Sequence, residues 1–303
     1  MIEVTDVTKR YGDVAAVDGV SLSVPDGASL GVVGTNGAGK TTLFRLLVGH
    51  ESPDSGAVRV AGVDPTAGTR VRERVGYLPE HAGFQPALTG TEVLGYYADM
   101  RGVDAPRIDG LLAVVGLEDA ADRTVGGYSN GMNRRLGLAT ALLGDPDVLL
   151  LDEPTAGLDP NGVDAFNRVV ERVREARDVT VVLSTHNLGE VEALCDRVAV
   201  LEAGQLRTFG PVDEVVRAAG GEVTITVRYA DGEEVAAATE AIRSAAPDAT
   251  LTVGATEVEL SVDSDSVTDA LGAVVETDPE SVSVDEPDLE TAVRESVAGG
   301  ESA

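Results

Sequence analysis

Residues 34–42 read Gly-Thr-Asn-Gly-Ala-Gly-Lys-Thr-Thr, a complete G-x-x-x-x-G-K-[ST] phosphate loop. Its glycines allow torsions that bulkier residues resist, so successive backbone N–H groups can turn inward around a polyphosphate, and the helix that follows adds its N-terminal dipole. The loop therefore demands a strand before it and a helix after it. Residues 28–33 are an apolar run suited to a buried strand, and residues 42–48 continue with helical spacing. Gly34, Thr35, Asn36, Gly37, Ala38, Gly39, Lys40, Thr41 and Thr42 are thus candidate ligands of a nucleoside triphosphate, with the Lys40 ammonium directed at the β- and γ-phosphates.

At 303 residues and 43% hydrophobic, the chain can bury one sizeable core and a small second one. No apolar stretch approaches the roughly 18 residues that cross a bilayer, and residues 1–6 lack the basic-then-apolar pattern of a secretory signal, so the expectation is a cytosolic protein. The single cysteine, Cys195, makes no internal disulfide or cysteine-based metal cluster in one chain and reads as a small buried residue. The net charge is −29, and only Lys9 and Lys40 among the 23 basic residues are lysines. Acid spread along the whole chain resembles the surface of halophilic archaeal proteins, which salt screens from self-repulsion. Nucleic acid is excluded as a partner, because phosphate backbones require clustered Lys and Arg.

Up to about residue 220, short apolar runs alternate with amphipathic stretches, as in an α/β domain. Residues 17–24 and 56–60 read as early strands, and 148–151 and 179–183 as strands buried on both faces. Residues from about 85 to 145 are mainly helical, broken at Gly102, Gly116 and Gly126-Gly127, which places a helical subdomain inside the α/β domain. After Gly220-Gly221 the texture changes. Val223, Ile225 and Val227 alternate, Val235, Ala238 and Ile242 take helical spacing, and the pair repeats through Val258, Leu260 and Val262. With further strands near 250–253 and 281–284, residues 221–303 are expected to form a small βαββαβ, ferredoxin-like domain. Pro287-Asp288 opens a last helix with Asp288 as its N-cap, and the tail 299–303 is expected to fray.

Residues 148–153, Val-Leu-Leu-Leu-Asp-Glu, form a strand ending in two carboxylates, the shape of a Walker B motif. Asp152 is placed to hold Mg²⁺ with the Thr41 hydroxyl, and Glu153 to take a proton from the attacking water. An Asp-Glu pair after a strand is in isolation more often a solvated turn. Its neighbours decide otherwise. Residues 128–136, Tyr-Ser-Asn-Gly-Met-Asn-Arg-Arg-Leu, open a helix shortly before that strand and resemble the L-S-G-G-Q signature of ATP-binding cassette (ABC) ATPases. Ser129 and Gly131 match, whereas Tyr128, Asn130 and Met132 depart from it. Residues 156–159, Ala-Gly-Leu-Asp, resemble the family's D-loop, and 183–186, Leu-Ser-Thr-His, its switch histidine. Tyr11 stands where the family places an aromatic that stacks on adenine. Residues 75–80, Val-Gly-Tyr-Leu-Pro-Glu, occupy the Q-loop, with Glu80 in place of the usual Gln. That carboxylate can ligate Mg²⁺ and adds negative charge beside Asp152 and the triphosphate.

The resemblance covers roughly residues 1 to 218 and implies a P-loop NTPase of ABC type that binds ATP and Mg²⁺. It makes Glu153 and His186 catalytic, Thr41, Glu80 and Asp152 metal-binding, and Asp159 a nucleotide contact. It further implies a homodimer of cassettes, or pairing with a second cassette, in which Ser129 and Gly131 of each grip the other's γ-phosphate. A separate transmembrane permease is the implied partner, with the chain peripheral on the inner face of the membrane. The Tyr-Leu-Pro-Glu and Tyr-Ser-x-Gly-Met forms are similar to a branch that pairs with ABC-2-type permeases, commonly exporters. Within it the chain looks most like the ATPase of the nitrous-oxide reductase copper-site maturation system, with drug efflux ATPases nearly as similar. A non-transport ABC ATPase and a catalytically silent regulatory cassette are the alternatives. The first typically carries two cassettes or a coiled-coil insertion, and the second lacks the Glu and His present here.

Overall fold

A computed structural model describes residues 1–68, 70–103, 107–218, 223–263, 266–285 and 288–298. They fall into two compact units, Met1–Val212 and Asp213–Ala303. The division precedes the boundary expected near residue 220, and Gly220-Gly221 lie outside the described residues.

The first unit opens with two long strands, β1 (Ile2–Tyr11) and β2 (Val14–Val24), runs through β3 (Ser29–Val33) into helix α1 (Lys40–Leu47), and returns in β4 (Ser55–Val60). β1 pairs antiparallel with both β2 and β4, giving a three-stranded sheet of order β2-β1-β4. A short helix α2 (Arg70–Arg74) and strand β5 (Val75–Leu78) then lead into the helical segment α3 (Gly90–Arg101), α4 (Arg107–Val114) and α5 (Asn130–Leu142). Beyond it β6 (Val148–Asp152), α6 (Pro160–Ala176), β7 (Thr180–Thr185), α7 (Leu188–Leu194), β8 (Arg197–Glu202) and β9 (Gln205–Pro211) complete a six-stranded sheet of order β5-β6-β7-β3-β8-β9. All its pairs are parallel except β8 with β9.

Residue chemistry explains these elements. β3, β6 and β7 are buried at every position, as parallel strands covered on both faces must be, so they read as continuous apolar runs without alternation. α3 begins with a capping box in which the Thr89 hydroxyl accepts from the Glu92 N–H and the Glu92 carboxylate accepts from the Thr89 N–H. It ends where Gly102 turns left-handed. One core joins the three-stranded sheet, α1 and a face of the large sheet through Ile2, Val20, Phe44, Leu46 and Leu150, each contributing about 1.5–3 kcal/mol by burial. α5 lies directly on β5: a Cβ on Gly76 would sit 2.2 Å from the Ala141 carbonyl, so only glycine admits this approach.

Helix α8 (Val212–Ala218) starts at the last residue of the first unit, and the second continues with β10 (Val223–Arg228), α9 (Gly232–Ala245), β11 (Thr250–Val253), β12 (Glu257–Val262), α10 (Val267–Val275), β13 (Ser281–Asp285) and α11 (Leu289–Ala298). The sheet is antiparallel, of order β11-β12-β10-β13, which is the connectivity of a βαββαβ ferredoxin-like fold. Its core is the predicted alternating set, Val223, Ile225 and Val227 against Val258, Leu260 and Val262. Asp288 caps α11 by accepting from the Thr291 N–H at 2.9 Å, while Pro287 and the tail 299–303 lie outside the described residues.

Candidate functional site

The phosphate loop is the turn between β3 and α1. Gly39, its last residue before the helix, has φ 108, and a Cβ there would fall 2.2 Å from the Ala16 carbonyl. No other residue fits both the torsion and the space. Lys40 begins α1 and folds back over the loop, donating to the carbonyls of Gly34 at 2.6 Å and Thr35 at 3.4 Å. Its ammonium also lies 3.2 Å from Glu153 Oε1, at the end of β6. Glu153 Oε2 in turn lies 3.0 Å from Nδ1 of His186, which follows β7 and is 68% exposed. The order of β6, β7 and β3 in the sheet thus brings three widely spaced side chains into one line.

These groups face a cavity of about 610 Å³ whose lining includes Tyr11, Lys40, Thr41, Glu80, Glu153 and His186. Tyr11 is half exposed, and the Lys9 ammonium sits 5.7 Å from its ring centroid, holding one face of the ring. Asp152 lies outside the lining, being only 1% exposed. It accepts from the Ser184 hydroxyl at 2.6 Å and from the Tyr77 hydroxyl at 3.4 Å. Burial holds its carboxyl above the ordinary range, the charges of Glu80 and Glu153 push the same way, and the two hydroxyls offset part of the effect. Tyr77 is raised as well, by burial first and by Asp152 next.

The predicted site divides in two. Ser129 caps α5, its hydroxyl accepting from the Met132 N–H at 3.2 Å, and neither Ser129 nor Gly131 lines the phosphate-loop cavity. Neighbours in that motif, Tyr128, Asn130 and Asn133, border a separate cavity of about 500 Å³ together with Glu80 and His81. Asp159 caps α6 through the Gly162 N–H at 3.0 Å, and of the D-loop stretch Ala156 is the residue that reaches the first cavity. Cys195 ends α7 as a buried thiol, raised by burial.

Two residues within the quoted motifs do more than their sequence discloses. Ser184 holds Asp152 and also receives the Glu153 N–H at 2.9 Å, while its carbonyl accepts the same N–H at 3.1 Å. Arg134, buried in α5, donates to backbone carbonyls of the segments that follow β5 and β6. The signal that could have found the serine is its place two residues before His186 in the same short motif. Arginine's partners carry no side-chain identity and left no sequence signal.

A phosphate loop, a Walker B strand and a switch histidine on this sheet define an ATP-binding cassette. The ABC transporter family model matches residues 17–156. Nod factor export ATP-binding protein I of Burkholderia orbicola (strain AU 1054) is 43% identical over 211 residues, covering 67% of this chain and 68% of the relative. Bacitracin transport ATP-binding protein BcrA of Bacillus licheniformis is 38% identical over 217 residues, 71% of each chain. The structure of an ATP-binding subunit of an ABC transporter superposes with a TM-score of 0.65 at 28% identity, covering 72% of this chain and 92% of that one. This chain belongs to the ABC transporter family, as an ATP-binding cassette and an ATPase.

Proposed function

We propose that the chain is the ATP-hydrolysing subunit of an exporter that drives a separate membrane permease of ABC-2 type. The observation that carries the reading is the Glu153 carboxylate held between Lys40 at 3.2 Å and His186 at 3.0 Å in the lining of the phosphate-loop cavity. Without nucleotide, Lys40 neutralises Glu153. A triphosphate competes for the ammonium, and its release leaves Glu153 free to accept a proton from water while His186 orients the γ-phosphate. Tyr11 takes the adenine, and the N–H groups of residues 34–42 take the phosphates.

The donors fit Mg²⁺, which would neutralise triphosphate charge. Thr41 and Glu80 offer hard oxygens to the cavity, and the buried Asp152 has its oxygens oriented by Ser184 and Tyr77. Among the described residues no cluster of three or more His, Cys, Asp or Glu is arranged to hold a metal alone, in keeping with an ion bound largely through the nucleotide. Export is supported by the relatives' names, which concern Nod factor export and bacitracin transport. Those names favour efflux over copper-site maturation. No helix among the described residues is long and apolar enough to cross a membrane, and on α3 Tyr96 and Met100 remain 59% and 67% exposed, a surface suited to a protein partner. Because Ser129 and Gly131 lie away from their own phosphate loop, we place them, with the Asp159 loop, against the ATP of a second cassette.

Steady-state ATPase assays test the catalytic roles. Glu153→Gln is expected to lower kcat by about 100-fold or more with ATP affinity retained, since the amide keeps the shape and takes no proton, and His186→Ala is expected to do nearly as much. A Glu153→Gln protein turning over at the wild-type rate would remove Glu153 as the base.

A further inference from the structure

Five residues beyond its Ser129 cap, α5 carries an arginine that is 7% exposed. Arg134 Nε donates to Pro154 O at 2.7 Å; Nη1 donates to Pro79 O at 2.8 Å and Glu80 O at 2.7 Å; Nη2 donates to Glu153 O at 2.5 Å and Asp152 O at 3.3 Å. The five carbonyls belong to two chain segments, one leaving β5 with Glu80 and one leaving β6 with Glu153. A guanidinium has five N–H donors in a rigid plane, so one side chain can tie both segments to a helix; lysine has three donors on one atom and glutamine two.

Glu153 itself is left-handed, with φ 43, a conformation that costs a non-glycine residue energy and persists only where its surroundings impose it. They do so from both sides. Ser184 holds its N–H and Arg134 holds its carbonyl, so the two peptides that flank its Cα are tied to β7 and α5, and with them the Cα–Cβ direction from which its carboxylate projects. We propose that Arg134 is a positioning residue for hydrolysis, which locks the Glu153 peptide and the Glu80 loop to the helix that starts at Ser129. A shift of that helix then reaches the cavity as a change in where Glu153 points. Burial works against the guanidinium charge, and the negative charges of Glu80, Asp152 and Glu153 work to keep it.

The inference rests on Glu153 being the proton acceptor, and a double-mutant cycle separates the two claims. Arg134→Lys and Arg134→Gln are made in the full chain, each alone and with Glu153→Gln, and kcat, KM, affinity for a fluorescent ATP analogue and melting temperature are measured. The expected result is a loss in kcat of about tenfold or more, with KM and affinity within about threefold, because a carboxylate misplaced by about an ångström loses rate without losing substrate. With Glu153→Gln present, the same change should alter the residual rate by less than about twofold, since no base remains to misplace. Parallel loss of rate and affinity, or a full tenfold loss in the Glu153→Gln background, would overturn the proposal. So would failure of both variants to fold, which would make the guanidinium a general stability element. If Glu153→Gln alone keeps the wild-type rate, the assignment of the base falls, and with it any action of Arg134 through that residue.

Discussion

Asp152 shows at the scale of one residue how the site sets function against stability. Its carboxylate is buried beside Glu80 and Glu153, and burial leads the causes that raise its titration above the ordinary range. A raised folded pKa means the native state keeps its proton to higher pH than the unfolded chain. Stability therefore falls as pH climbs through the interval between the ordinary and raised values. Asp152→Asn removes the charge while its carbonyl still accepts from Ser184. The nucleotide-free variant should melt about 2–4 °C above wild type at pH 7, with the gap closing below the ordinary aspartate range, and should lose Mg²⁺-dependent hydrolysis. Differential scanning calorimetry across pH reads this directly, and a melting temperature below wild type at pH 7 would show that the charge is stabilised in place.

At the scale of elements, the loop between β3 and α1 depends on backbone shape more than on side chains. Gly39→Ala places a methyl 2.2 Å from the Ala16 carbonyl at φ 108, so the loop must move. The expected cost is about 1–3 kcal/mol of stability and a loss of ATP affinity of at least about tenfold, measured by thermal melts and by nucleotide titration. Wild-type affinity would mean that the loop adapts without harm. Elements of this kind were legible from sequence because each is local: the glycine spacing, the apolar runs of β3 and β6, and the alternation of β10 and β12 all lie within a few residues. The links between elements were not. Arg134 reaches carbonyls 18 to 55 positions away, and every residue type supplies a carbonyl. The left-handed torsion of Glu153 is held by Ser184 and Arg134, 31 and 19 positions distant, so no local pattern announces it. Tyr77, read only as part of the Q-loop segment, meets Asp152 because β5 and β6 pair with Tyr77 opposite Leu150.

Across the whole molecule the net charge of −29 dominates the response to solvent. Screening weakens attraction and repulsion alike, so the balance decides. Exposed pairs such as Arg217 with Asp213, at 68% and 73% exposure, contribute at most about 1 kcal/mol, whereas the excess carboxylates repel throughout. The melting temperature should rise between millimolar and molar KCl; a flat profile would show that the acid is already compensated in the fold. The same scale holds the central claim, that ATP brings two cassettes together so that Ser129 and Gly131 of one complete the site of the other. Light scattering on size-separated Glu153→Gln protein, with the retained nucleotide identified, tests it most directly. With saturating ATP and Mg²⁺ the account predicts a dimer that holds ATP unhydrolysed and reverts to monomer with ADP; a protein that binds ATP and stays monomeric would contradict it.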